Sequence, residues 1–191
     1  VPAGALVGGA AVVHDSGAGQ HIVMIEGTRG NVCTGTALAR NLVLTAAHCV
    51  AQPSTYRVVR PDAPGRFSLQ QVAVHPRYSR QHYTSGTVTA DVALLKLASP
   101  LPGNVTPVRL ASNALVTVGD SFVIAGFGTT ASGSDSGIGV PRSAELVTTG
   151  KPGSLQIRLV DPATKDMRLG LGACTGDSGG PAFRYSGGVY S

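Results

Sequence analysis

Cys174-Thr175-Gly176-Asp177-Ser178-Gly179-Gly180-Pro181 is the stretch from which the rest of this chain can be read. A serine set among glycines and followed by proline is a backbone device. Glycine reaches dihedrals that other residues adopt only with strain, and it leaves the main chain open to close approach. A serine on such a turn presents its hydroxyl outward, and nearby backbone N–H groups can converge on one point. A nucleophile served by an oxyanion hole needs that layout. A glycine- and serine-rich turn without chemistry is the plainer reading. A base and an orienting acid elsewhere in the chain would decide between the two.

Two stretches supply candidates. Leu42-Val43-Leu44-Thr45-Ala46-Ala47-His48-Cys49 is an apolar run that passes through small residues to a histidine. Asp91-Val92-Ala93-Leu94-Leu95-Lys96-Leu97 sets an aspartate at the head of an apolar strand. Taken singly, His48 reads as an ordinary core or surface histidine and Asp91 as a turn residue. A carboxylate beside a buried strand must find hydrogen bonds or raise its pKa, however, and an imidazole N–H would satisfy it. Together the three stretches resemble the trypsin/chymotrypsin-like serine proteases. The pieces are TAAHC at 45–49, DVALLKL at 91–97 and GDSGGP at 176–181, and the order His, Asp, Ser is that of the family. The likeness runs from about Leu6 to the last residue.

The resemblance implies an all-β fold of two antiparallel Greek-key β-barrels. Residues 1–98 would form the first and carry His48 and Asp91. Residues 99–191 would form the second, incomplete at its C-terminal end, and carry Ser178. The implied activity is peptide-bond hydrolysis through a Ser178–His48–Asp91 triad and an acyl-enzyme, with the N–H groups of Gly176 and Ser178 as the oxyanion hole. A protein of the same fold without activity, as a precursor or a binding module, is the rival. Chain order removes one other rival and the lack of helical patterns a second. An α/β-hydrolase places its acid and histidine after the nucleophile, whereas all five histidines here (14, 21, 48, 75 and 82) precede Ser178. A subtilisin-like order could be forced only through Asp15, in a chain without the long helical patterns of an α/β fold.

Composition agrees with an all-β chain. Of 191 residues 42% are hydrophobic, 26 are glycine, and none is tryptophan; short apolar runs separated by Gly, Pro and Ser predict many strands and turns. No run approaches a membrane span. The net charge of +5 is scattered, which reads as a solvated basic surface and not as a nucleic-acid site. The partner expected is a peptide or protein substrate, with no nucleic acid and no membrane, and the protein is expected to be a monomer. No cofactor is implied. His75 and His82 have no neighbouring set with metal-ligand spacing, so no metal is expected.

The family pattern assigns further residues. It implies a disulfide between Cys33 and Cys49 beside the histidine, and hence an oxidising compartment, extracellular or periplasmic. Cys174 is then the odd one, its family partner lying downstream of the nucleophile. Leu6-Val7-Gly8-Gly9 resembles the family's mature start, where a freed α-amino group pairs with the aspartate before the nucleophile, here Asp177. Val1 to Ala5 reads equally as a pro-segment, a signal remnant, a cloning remnant or a tail. The residue lining the base of the specificity pocket is Gly172, followed by Ala173, with Thr175 beside them; without an acid there, a small or medium apolar side chain is the expected preference.

Along the chain, strands are expected at 21–26, 32–38, 42–46, 55–60, 67–75, 91–97, 121–127, 143–149 and 154–160, and a further hairpin at 182–190. One helical turn is expected from Ala46 to about Val50. Residues 99–107 read as a proline-rich linker between barrels, His82 as part of a polar surface loop, and Thr129 to Gly139 as a nicking site.

Overall fold

The computed structural model describes residues 9–14, 16–111, 115–130, 136–153, 156–165 and 170–191. Its strands are β1 Ala10–Ala11, β2 Ile22–Gly27, β3 Val32–Ala39, β4 Leu42–Thr45, β5 Tyr56–Val59, β6 Arg66–Val74, β7 Ala93–Leu97, β8 Ser121–Gly126, β9 Arg142–Gly153, β10 Gln156–Val160, β11 Ala182–Phe183, β12 Tyr185–Ser186 and β13 Val189–Tyr190. One short α-helix, α1, spans Arg80–Thr84, and 3-10 turns span Gly17–His21 and Ala47–Cys49.

Six strands close into a barrel in the order β2-β3-β4-β7-β6-β5, antiparallel throughout. The β7 sequence shows why. Ala93, Leu95 and Leu97 are buried while Leu94 and Lys96 between them are exposed, the period-2 pattern of a strand with one face on a core. β2 is buried on both faces. Val23 and Ile25 point into the barrel with Val43, Val58 and Leu95. Ile22 and Met24 join Phe127 and Phe183 in a second core outside it. This second core joins the barrel to an antiparallel sheet of order β1-β9-β8-β11, with β10 also on β9. The architecture is nearly all-β, as expected: one closed barrel and a second sheet.

One segment is more tightly held than its composition suggests and another differs from the expectation. Residues 99–107 connect the barrel to the sheet and are packed down. Leu101 and Val105 are buried in the barrel core, and Leu101 N–H, Thr106 N–H and Val108 N–H donate to Arg40, Gln20 and Ala37 carbonyls. Burying one leucine contributes about 1.5–3 kcal/mol, and the hydrogen bonds add to it. The loop expected around His82 contains α1, whose first turn is capped by Ser79 Oγ accepting from His82 N–H at 3.2 Å. The nicking site expected between Thr129 and Gly139 lies partly outside the described residues.

Candidate active site

β4 runs out at Thr45, and buried Ala46 and Ala47 let the chain tighten into the Ala47–Cys49 turn against the barrel. That turn places His48 over Asp91, two residues before β7. The carboxylate engages the histidine twice. Oδ1 accepts from the His48 main-chain N–H at 2.8 Å, and Oδ2 lies 2.6 Å from Nδ1. With the proton on Nδ1, Nε2 keeps its lone pair and can act as a base. Both side chains are partly exposed, 20% and 26%, so the pair is reachable from solvent.

The Ser178 turn is closed by Asp177 N–H to Cys174 O, 3.0 Å, and Gly180 N–H to Asp177 O, 2.9 Å. Gly176 and Gly179 adopt φ of +95° and +81°, values that favour glycine. At Gly179 a Cβ would also come within 2.5 Å of the Thr34 carbonyl oxygen and 2.8 Å of Ala46 N. The turn therefore lies hard against the barrel, and Thr34 of β3 fastens it there. Thr34 N–H donates to Ser178 O at 2.8 Å. Its hydroxyl donates to Gly176 O at 2.8 Å and accepts from Phe127 N–H at 3.0 Å. Its carbonyl accepts from the Thr45 hydroxyl at 2.8 Å. Sequence reasoning missed Thr34, since a threonine in a strand carries no signal of its own.

Among the described residues, the N–H groups of Gly176, which is buried, and of Ser178, which is half-buried, donate to no protein acceptor. The hydrogen bonds of the described residues include none between Ser178 Oγ and His48 Nε2; such bonds are often long before substrate binds. The two residues nevertheless meet at one atom. Cys49 Sγ lies 3.7 Å from His48 Nε2 and 3.6 Å from Ser178 O. That sulfur belongs to the Cys33–Cys49 disulfide, so both are packing contacts. Cys33, His48 and Cys49 form a cluster within 4.8 Å, but the two sulfurs are bonded to each other. The trio offers a metal one free ligand atom and does not fit one. Cys174 has no disulfide partner among the described residues; its sulfur accepts from the Thr129 hydroxyl at 3.2 Å.

Asp177 is 7% exposed. Its carboxylate accepts from Gly128 N–H at 2.8 Å and Cys174 N–H at 2.9 Å. Burial pushes its carboxyl above the usual range, and the two N–H groups pull it back. Gly128 must be glycine, because a Cβ there would lie 2.7 Å from Asp177 N. Leu6, the expected partner of Asp177, lies outside the described residues. Of the expected pocket residues, Ala173 lines a cavity of about 110 Å³ with Ile124, Ala125, Asp177 and Gly180. Gly172 faces open space where a side chain would project. Thr175 is exposed, and its carbonyl accepts from Thr129 N–H. A larger cavity of about 440 Å³ opens between barrel and sheet, with Asp91, Gly179 and Phe183 in its wall.

The barrel holds a carboxylate-bound histidine, and a glycine-framed serine turn is fastened against the same barrel. The Trypsin family matches residues 6–191, and the chain belongs to it, the trypsin/chymotrypsin-like serine proteases. It is similar to the chymotrypsin-like elastase family member 1 of Felis catus, 28% identical over 84% of this chain and 65% of that protein. The Homo sapiens protein of that name is 36% identical over 41% of this chain and 32% of the relative. Vitamin K-dependent protein C of Oryctolagus cuniculus is 29% identical over 56% of this chain and 26% of the relative. The chain thus spans between about a quarter and just under two thirds of these relatives. No helix among the described residues is long and apolar enough to cross a membrane.

Proposed function

We propose that this chain is a serine endopeptidase using Ser178, His48 and Asp91. Ser178 Oγ attacks the substrate carbonyl while His48 Nε2 takes its proton. Asp91 holds the ring in the tautomer that leaves Nε2 unprotonated and stabilises the imidazolium that forms. The oxyanion is received by the N–H groups of Gly176 and Ser178. His48 then protonates the departing amine, and water releases the acyl group by the same route reversed. The two-point hold of Asp91 on His48 carries this reading. Gly172, Ala173 and Thr175 line the side-chain pocket and favour small or medium apolar residues over Arg or Lys. The enzyme is a secreted monomer.

A fluorophosphonate probe read by intact mass tests the reading. One adduct, located on Ser178 and lost in His48→Ala, is expected; an unlabelled protein whose N-terminus is Leu6 would overturn it.

Asp177 supports a second reading, that the chain with Val1 to Ala5 retained is a precursor. Among the described residues its buried carboxylate is held by main-chain N–H groups. The α-amino group of Leu6, once freed, is the cation that would pair with it and shape the oxyanion hole. Cleavage before Leu6 is then expected to raise the labelling rate at Ser178, and an unchanged rate counts against a precursor.

A further inference from the structure

We infer that Tyr83 is a positioning residue for His48, supporting the imidazole face while Asp91 holds its edge. The inference rests on the reading of His48 as the general base. Tyr83 and His48 stack with ring centroids 4.5 Å apart and planes 13° from parallel. Tyr83 is 44% exposed, so burial in a core does not explain where it sits. It forms one wall of a cavity of about 190 Å³ that also contains His48, Gln52, Tyr78 and Arg80.

The chain supports this contact with care. Tyr83 stands on α1, whose start is fixed by the Ser79 cap and by Tyr83 N–H donating to Ser79 O. Ser79 N–H donates to Thr89 Oγ1 at 2.7 Å, and that hydroxyl donates on to Arg77 O. His75 N–H donates to Val92 O at 2.9 Å and closes the segment. Tyr83 and Asp91 therefore ride on one closed segment of the chain, residues 75–92. The carboxylate restrains the ring in its plane, and a stacked ring restrains rotation out of that plane.

The chemistry points the same way. The face of a phenol carries negative charge density and attracts a cation more than a neutral ring. His48 is neutral before the proton transfer and an imidazolium after it. The stack therefore strengthens as the reaction proceeds, and an interaction of that kind raises kcat and leaves substrate binding alone.

The test uses Tyr83→Ala and Tyr83→Phe in the active protein, a fluorophosphonate too small to fill the cavity, and a peptide substrate. Tyr83→Ala is expected to slow labelling at Ser178 by about three- to fivefold, the size of an exposed cation–π contact. It should lower peptide kcat to match with KM unchanged, and Tyr83→Phe should restore both. Labelling at the wild-type rate in Tyr83→Ala, or a loss confined to KM, overturns the inference, since either makes Tyr83 only a wall of the cavity. A second readout needs no turnover. The His48 ring protons should show an upfield ring-current shift by NMR in wild type and Tyr83→Phe, absent in Tyr83→Ala. A labelled protein without that shift overturns this inference alone. A wild-type protein that never labels overturns the protease reading and takes the inference with it.

Discussion

Replacing Thr34 with valine keeps the side-chain volume and deletes one hydroxyl. That hydroxyl bonds both Gly176 O and Phe127 N–H, and Thr34 is fully buried. Leaving a buried donor or acceptor unmet costs about 1–3 kcal/mol, and here one of each is stranded. Thr34→Val should therefore lower the urea midpoint clearly and slow Ser178 labelling further than the stability loss alone requires, because Gly176 belongs to the serine turn. Equal labelling rates in folded wild type and variant would show that the turn keeps its shape without this anchor. Asp177 gives a residue-scale prediction with a sign. Burial raises its carboxyl in the folded state, so the native protein binds a proton more tightly than the unfolded chain. Stability from this group is then present at low pH and lost as pH rises through the raised value. Asp177→Asn should remove that decline, seen as a flatter urea midpoint from pH 4 upward than in wild type. An α-amino group paired with Asp177 would reverse the sign, so the same titration distinguishes precursor from activated protein.

The Cys33–Cys49 bond joins β3 to the turn that carries His48 and closes a loop of 16 residues. In the chain-entropy picture a loop of that size is worth about 3 kcal/mol. The Cys33→Ala/Cys49→Ala double variant should lose about that much by urea unfolding, and a change under 1 kcal/mol would mean the barrel pairing alone fixes the turn. The triad candidates and the strands were legible in the sequence because each has a pattern that chemistry or periodicity demands; the disulfide was legible only through the resemblance to the family. Alternation in 93–97 predicts β7, and glycines around Ser178 predict a turn with positive φ. The positioning residues had no such pattern. Thr34 acts through backbone atoms of a distant turn, and its partners are set by how barrel and sheet meet. α1 has five residues, too few for any helical period, and only the Ser79 cap could have announced it. Tyr83 faces His48 because the segment from His75 to Val92 closes on itself, which hydrogen bonds decide and local sequence does not.

At the scale of the whole molecule, barrel and sheet must stay in register for a serine on one to meet a histidine on the other. Besides the second core, an ionic clasp holds the connection. Arg60, wholly buried, donates to both oxygens of Asp62 at 2.9 and 3.0 Å and to the carbonyls of His14, Gly19 and Ile22. It thereby ties His14, which follows β1 in the sheet, to Gly19 and Ile22, just before and at the start of β2 in the barrel. Asp62 also accepts from Asn104, and His21 meets Thr106 O at 2.7 Å, so the segment that leads back to the sheet is fastened at the same point. An arginine read from sequence is expected at the surface; this one is buried because three carbonyls and a carboxylate converge on it. Removing one partner of a buried ion pair costs about 3–5 kcal/mol, and Asp62, with its side chain 20% exposed, should fall at the lower end. The Arg60 guanidinium holds the Asp62 carboxyl below its usual range, so its contribution is present above the unfolded value near pH 4 and lost as pH falls through the lowered one. Asp62→Ala should accordingly lower the urea midpoint at pH 7, with the gap from wild type narrowing toward pH 2. Hydrogen exchange should quicken together at residues 16–22 and 104–108 in the variant, because the clasp serves both crossings. Faster exchange at only one of them would mean that each crossing is held separately, and that the register of serine and histidine rests on the second core and on Thr34.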